Sequence, residues 1–227
     1  MKKAVLGIAV LATASASALL AQGVPPKQAF DISAEQIQQV LKFAPPAVDQ
    51  QLMVVDIGKY NLGVGVIYRG PTGGAAAAGR GGGGGGRGAA GGGRAPANVV
   101  KCGPAEAPPG AKISAASLIS HDAELETYQI ISGEGTLITG GTIFNGTRSA
   151  PNSEVTTTLN GPSCSGRAFG DFVTRHVKVG DVVIIPPGVG HGWTDITDHV
   201  TYLSVRPDPD HVLPAGYVNP HIKEMGK

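Results

Sequence analysis

The stretch Gly180-Asp-Val-Val-Ile-Ile-Pro-Pro-Gly-Val-Gly-His191 decides how the rest of the chain is read. Val182 to Ile185 is a short apolar, β-branched run, the pattern of a buried strand. A Gly-Asp turn precedes it and a Pro-Pro-Gly turn follows it. Proline cannot donate to a sheet ladder, so the strand must end there. His191 comes three residues after the second turn. The chain rounds a tight corner and presents an imidazole at a fixed place, and what that imidazole faces governs the function.

The same strand-and-turn pattern runs outward from this stretch. Ile113–Ser120, Leu125–Ile131, Gly135–Ile143, Glu154–Leu159, Phe172–Val177 and Val200–Val205 are short runs rich in Val, Ile and Thr. Gly, Pro, Asn, Asp and Ser separate them, which predicts an all-β sandwich or small barrel. Leu52–Ile57 and Tyr60–Tyr68 predict a hairpin further upstream. Before it, Ser33-Ala-Glu-Gln36 fits a capping box and predicts one short helix over Ala34–Phe43, stopped by Ala44-Pro45-Pro46. Leu213 to Lys227 reads as a polar tail without a strong pattern.

Two segments lie outside this core. Met1-Lys-Lys3, an apolar run to Ala12 and small residues to Ala21 have the form of a secretory signal peptide, with cleavage sites after Ala18 or Ala21. No cysteine stands at those sites, so no membrane anchor is expected, and the predicted location is periplasmic or extracellular. The segment 70–98 is dominated by Gly, Ala and Arg and has almost no large apolar residue. Such a segment buries too little surface to offset its ordering entropy, which predicts a disordered insertion. A nucleic-acid-binding tract of Gly and Arg would interleave aromatics for base stacking, and this one does not. The resulting organisation is a leader at 1–21, a lead-in with a short helix at 22–50, and a single β-barrel domain at 51–227 interrupted at 70–98. About 175 residues then remain for one core, an ordinary domain size.

Of the 227 residues 15% are charged, and the net charge is +1. That balance supplies no field for nucleic acid or an anionic membrane, and points to a small-molecule partner. Cys102 and Cys164 each sit in a loop-like Gly/Pro/Ser setting. In an oxidising compartment they form either one disulfide or two unpaired thiols.

Strand parity sorts the polar residues. Glu126, Tyr128 and Ile130 share one face of their strand, and Ser117, Ile119 and His121 share one face of theirs. The short link Asp122 to Leu125 predicts adjacent antiparallel strands with His121 close to Glu126. Ser132-Gly-Glu-Gly135 predicts the next hairpin turn. A carboxylate on an otherwise apolar strand is costly to bury without a partner, so Glu126 needs one. Glu124 reads as a solvated loop residue, and His176 and His199 as surface or strand residues.

Taken together, these positions resemble the cupins, and more narrowly a single-domain, type-2-like cupin. The second cupin motif runs Gly, five residues, Pro, one residue, Gly, two residues, His; Gly180, Pro186, Gly188 and His191 match it. The Asn that often follows after three more residues is Asp195 here. The first motif is degenerate: His121, Glu126 and Gly133 match, and Ile119 stands where a first histidine would be. The resemblance covers about Lys112 to Pro207. It implies a double-stranded β-helix (jelly-roll) barrel holding a divalent metal on His121, Glu126 and His191. Two imidazoles and a carboxylate suit Fe, Mn, Zn or Ni. Three ligands leave positions open for water or substrate. Tyr128, on the Glu126 face, is a candidate hydrogen-bond donor to the ligands, a general acid or base, or a packing residue, and Trp193 and Asp195 are candidates for the mouth of the pocket. The resemblance also implies a homodimer. Functionally it points to a metal-dependent oxygenase, lyase or isomerase for a small polar organic molecule. The other readings are a non-catalytic ligand-binding module of the cell envelope and a structural envelope protein with a flexible tether.

Overall fold

The computed structural model describes residues 27–43, 48–72 and 99–225. The expected leader, Ala44-Pro45-Pro46 and the segment from 73 to 98 lie outside the described residues. Eleven strands form the body: β1 Asp49–Asp56, β2 Asn61–Arg69, β3 Lys101–Cys102, β4 Leu118–His121, β5 Glu126–Ile143, β6 Gly146–Arg148, β7 Ser163–Gly166, β8 Ala168–Lys178, β9 Val182–Ile185, β10 His191–Thr194 and β11 Val200–Asp208. All pairings are antiparallel. Two helices, α1 Ala34–Lys42 and α2 Pro220–Met225, accompany them. Among the described residues no helix is long and apolar enough to cross a membrane.

The strands curl into two sheets joined by one long strand. The first half of β5 pairs with β11 and β9, and β2 and β1 continue that sheet beyond β11. The second half of β5 pairs with β8 and β10, and the second sheet runs on through β4, β7, β6 and β3. The expected hairpin turn at Ser132–Gly135 is therefore a bend inside a continuous strand. Gly133 makes the bend, at φ 68° and with the His199 carbonyl 2.0 Å from where a Cβ would lie. Only glycine takes that backbone at no steric cost.

A second expectation also changes. β4 and β5 are not hydrogen-bonded neighbours, because β10 lies between them in the sheet order. The link 122–125 carries the chain from one sheet to the other.

Inward-facing side chains of both sheets fill the barrel. Tyr128, Ile130, Leu137, Val183, Ile185, Trp193, Val200 and Tyr202 form one buried cluster. β9 alternates, with Val183 and Ile185 inside and Val182 and Ile184 exposed, so it is buried on one face only. A second cluster, Leu118, Ile138, Ile143, Cys164 and Ala168, packs around the disulfide that joins Cys102 to Cys164. A third lies under the helices, where Val40 meets Leu52, Val66 and Ile222.

α1 begins where its capping box places it. Ser33 Oγ accepts from Gln36 N–H at 3.2 Å, and Ser33 N–H donates to Gln36 Oε1 at 2.8 Å. The C-terminal segment carries more order than its sequence signals. Leu213 is buried, Val218 bridges to Met53, and α2 docks beside α1, with the rings of Phe43 and His221 stacked 3.9 Å apart.

The run Glu154–Leu159 is not a strand. Val155–Leu159 forms a single π-helical turn. Its β-branched residues fit a strand pattern, but their hydroxyls bond locally instead. Thr157 Oγ1 donates to the Ser153 carbonyl at 3.0 Å and Thr156 Oγ1 to the Ala150 carbonyl at 2.8 Å. Such bonds compete with a ladder. Of the expected strand Ile113–Ser120, only Leu118 onward is regular, and Ile113 makes one isolated bridge to Phe169. The short strands β3, β6, β7 and β10 are too brief to show a period.

Candidate metal centre

β4, the start of β5 and the start of β10 each contribute one residue to a common point inside the barrel. His121 ends β4, Glu126 opens β5 and His191 opens β10. All three are buried, at 4%, 2% and 2% exposure. One ligand atom from each lies within 4.8 Å of the others. The turn of Pro186 to Gly190 is tied down over this point, because Gly188 N–H donates to the His121 carbonyl at 2.7 Å.

Hydrogen bonds on the far side of each imidazole fix its tautomer. His191 Nδ1 lies 3.0 Å from the Val189 carbonyl, which only accepts, so this nitrogen carries a proton. His121 Nδ1 lies 2.7 Å from Ser163 Oγ, whose own proton goes to the Gly161 carbonyl at 2.9 Å. Ser163 therefore accepts, and His121 Nδ1 also carries a proton. In the neutral rings both free lone pairs are on Nε2. Both Nε2 atoms point at one atom, Glu126 Oε2, at 3.2 Å from His121 and 3.0 Å from His191. Three lone-pair donors at these distances repel unless positive charge lies among them. Burial lowers the pKa of His121 despite the pull of Glu126, which favours its neutral, ligand-ready form.

The two oxygens of Glu126 have different partners. Oε1 accepts from Asn160 Nδ2 at 3.1 Å, Ser204 Oγ at 2.8 Å and Arg206 Nε at 3.1 Å. Oε2 accepts from Tyr128 Oη at 2.8 Å and otherwise faces the histidines. Burial alone would raise the Glu126 pKa, but His121 and His191, whenever an Nε2 of theirs carries a proton, together with Arg206 outweigh it and hold the carboxyl well below its usual range. The carboxylate is thus charged and oriented before any ligand arrives. This is the arrangement metal sites use, with outer hydrogen bonds that set tautomer and orientation.

The residues of the two motif segments, far apart in sequence, thus meet between two curled antiparallel sheets. The fold is that of the cupins.

Solved structures similar to this cupin barrel have low sequence identity. A protein with a double-stranded β-helix domain from Klebsiella pneumoniae is 14% identical, covering 84% of this chain and 99% of its own, with a TM-score of 0.35. A protein from Bacillus halodurans is 12% identical, covering 88% and 96%, with a TM-score of 0.37. An oxalate oxidase is 11% identical, covering 74% and 54%, with a TM-score of 0.33. No protein-family model and no curated protein sequence matches the chain.

The remaining candidates divide. Tyr128 joins the cluster directly, and burial, then Glu126, pushes its phenol well above the usual range, so it is a neutral donor. Trp193 is one layer away. Its ring stacks on Tyr202 at 5.3 Å and its Nε1–H donates to Tyr202 Oη at 3.2 Å. Asp195 lies outside the buried cluster. It is exposed, sits at φ 52°, and its carboxylate accepts from Thr194 Oγ1. Ile196, the residue after it, is the one that turns inward. Glu124 is not solvated: it is 2% exposed, with the buried Asp208 carboxylate beside it. Burial, followed by Asp208, pushes its pKa to about 8.

The supporting shell went unrecognised in the sequence. Arg206 is wholly buried. It donates to Glu126, to Gln51 Oε1 at 2.9 Å, to the Leu159 carbonyl at 3.1 Å and to Asp49 Oδ2 at 2.6 Å. The available signal was parity: Tyr202, Ser204, Arg206 and Asp208 occupy alternate positions of β11, all inward. Gly65 on β2 makes the room, since a Cβ there would lie 2.9 Å from Arg206 Nη1.

Proposed function

We propose that this cupin barrel binds one divalent metal ion on His121, Glu126 and His191 and uses it to act on a small polar organic molecule. The supporting observation is the convergence of two tautomer-fixed Nε2 atoms and one carboxylate oxygen on a single buried point. Arg206 holds only Oε1 of Glu126, which leaves Oε2 facing the two imidazoles, and Tyr128 beside it is neutral near pH 7.

A bound metal would supply Lewis-acid polarisation of a substrate oxygen, or oxygen activation if it is iron. The chain's own residues do the rest. Arg206, Asn160 and Ser204 hold Glu126 Oε1, so that Oε2 stays turned to the centre. Val189 and Ser163 hold the imidazoles. Tyr128 holds a proton at Oη beside Oε2, where it can donate to an anionic ligand atom.

The near-complete burial of the three residues favours a second reading, a structural metal in a barrel that binds a ligand without turning it over. The form of the N-terminus supports export to the periplasm or beyond in both cases. One experiment separates them. The metal-free protein is loaded in turn with Fe(II), Mn(II), Zn(II) and Ni(II) and challenged with a panel of small hydroxy- and keto-acids. Turnover that needs the metal and disappears in His191→Ala supports the enzyme. Ligand binding without turnover under every metal overturns it in favour of the binding module.

A further inference from the structure

A second constellation lies on the outside of the bend in β5, away from the metal centre. Ser132, His199 and Asp198 form a connected row. Ser132 Oγ is 2.7 Å from His199 Nε2, and His199 Nδ1 is 2.7 Å from Asp198 Oδ2. A carboxylate only accepts, so His199 Nδ1 carries the ring proton, and Nε2 of the neutral ring accepts from the serine hydroxyl. This is the proton arrangement that makes a serine oxygen nucleophilic.

The imidazole is held in place by more than these two bonds. The Tyr68 ring stacks on it with centroids 5.8 Å apart and planes 13° from parallel. Its Cδ2 would lie 3.0 Å from a Cβ on Gly133, so the glycine of the bend also seats the histidine. The ring is partly buried, and Asp198 is 89% exposed. Two surface cavities meet at His199. One, of about 460 Å³, is lined by Glu134, Lys178 and Asp198 among others. The other, of about 280 Å³, includes Ser132 and is walled by Leu41, Tyr68 and Ile131, with Gln38 and Thr201 at its edge. That smaller cavity has apolar lining from Leu41 and Ile131 beside the Tyr68 ring, and room for a short acyl or aryl group.

We propose that Ser132, His199 and Asp198 form an acyl-transfer site for small carboxylic esters, independent of the metal centre. Ser132 Oγ attacks the ester carbonyl carbon while His199 Nε2 takes its proton. The carbonyl–alkoxy bond breaks, and His199 returns the proton to the departing alcohol. Water then attacks the acyl-serine, giving up a proton through His199, which goes back to Ser132 Oγ as the carboxylic acid leaves. Asp198 is a positioning residue: it holds the tautomer and offsets the charge of the imidazolium. Gln38 and Thr201 provide side-chain donors beside the acyl pocket for the developing oxyanion.

The test uses the mature protein, a fluorophosphonate probe and 4-nitrophenyl butyrate. The expected result is one phosphonyl adduct per chain, located at Ser132 by peptide mass spectrometry. It forms on the native but not the urea-unfolded protein, and it is unaffected by EDTA. Ser132→Ala and His199→Gln should each reduce ester turnover at least about 100-fold, the usual scale of a lost nucleophile or base. Asp198→Asn should lower kcat at least about tenfold with KM unchanged, a split that a merely structural role would not give. Circular dichroism confirms that each variant is folded. An adduct at another residue, no adduct on the native protein, an adduct lost in EDTA, or turnover retained in folded Ser132→Ala overturns the proposal.

Discussion

Glu126 has its two oxygens in different company, and the consequences extend past the proposed metal site. Oε1 ends a buried chain that runs through Arg206 to Asp49. Removing one member of a buried ion pair leaves the others charged and dry, at a cost of about 3–5 kcal/mol. Arg206→Met should therefore lower the unfolding free energy by about that amount in a urea titration; a loss below about 1 kcal/mol would show that water already reaches Arg206. Glu124 works in the opposite sense. Its folded pKa, about 8, lies above the ordinary 4.5. Between those values the folded chain keeps a proton that the unfolded chain has released, so stability falls as pH rises across that window. Glu124→Gln is neutral in both states and removes the slope. Its unfolding free energy should match wild type near pH 5 and exceed it near pH 8 by an amount on the order of 1–3 kcal/mol. Equal differences at both pH values would contradict this. At this scale the sequence showed the three residues that converge but not their support. Motif spacing singles out His121, Glu126 and His191. The partners of Glu126, namely Asn160, Ser204 and Arg206, lie 34 to 80 residues away, and only the closed barrel brings them together.

β5 is the element whose sequence signals misled most. Ser132-Gly-Glu-Gly135 has the composition of a hairpin turn. Instead the strand continues, and Gly133 lets it pass from the first sheet to the second. A local pattern cannot distinguish a turn from a bend, because both need a residue at positive φ. The same limit applies to Val155–Leu159, where a β-branched run closes on itself through threonine hydroxyls. By contrast α1, the β1–β2 hairpin, β9 and β11 were legible, since their period, their caps or their flanking turns are complete within one segment. The bend gives a direct prediction. Gly133→Ala would place a Cβ against the His199 carbonyl, so it should destabilise the fold by at least about 2 kcal/mol and broaden its thermal transition. A melting temperature equal to wild type would mean that the bend can relax without glycine.

For the whole molecule, the two sheets bring together residues that the chain keeps far apart. The second motif, Gly180 to His191, places one imidazole by means of two turns, and the degenerate first motif places the other imidazole and the carboxylate. With Ile119 in the position of a first histidine, three candidate ligands converge, His121, Glu126 and His191, and Tyr128 places a proton donor beside them. Disulfide, helices and apolar clusters surround this point without contributing a ligand. On the function proposed above, the barrel interior is a cation site rather than a buried ion-paired core. Metal analysis of the purified protein, after dialysis against metal-free buffer and reloading with a single divalent ion, tests it most directly. One equivalent per chain in the wild type, with less than about a tenth of that in His191→Ala and in Glu126→Gln, is the predicted result. No bound metal in the wild type, or the same content in both variants, would contradict it.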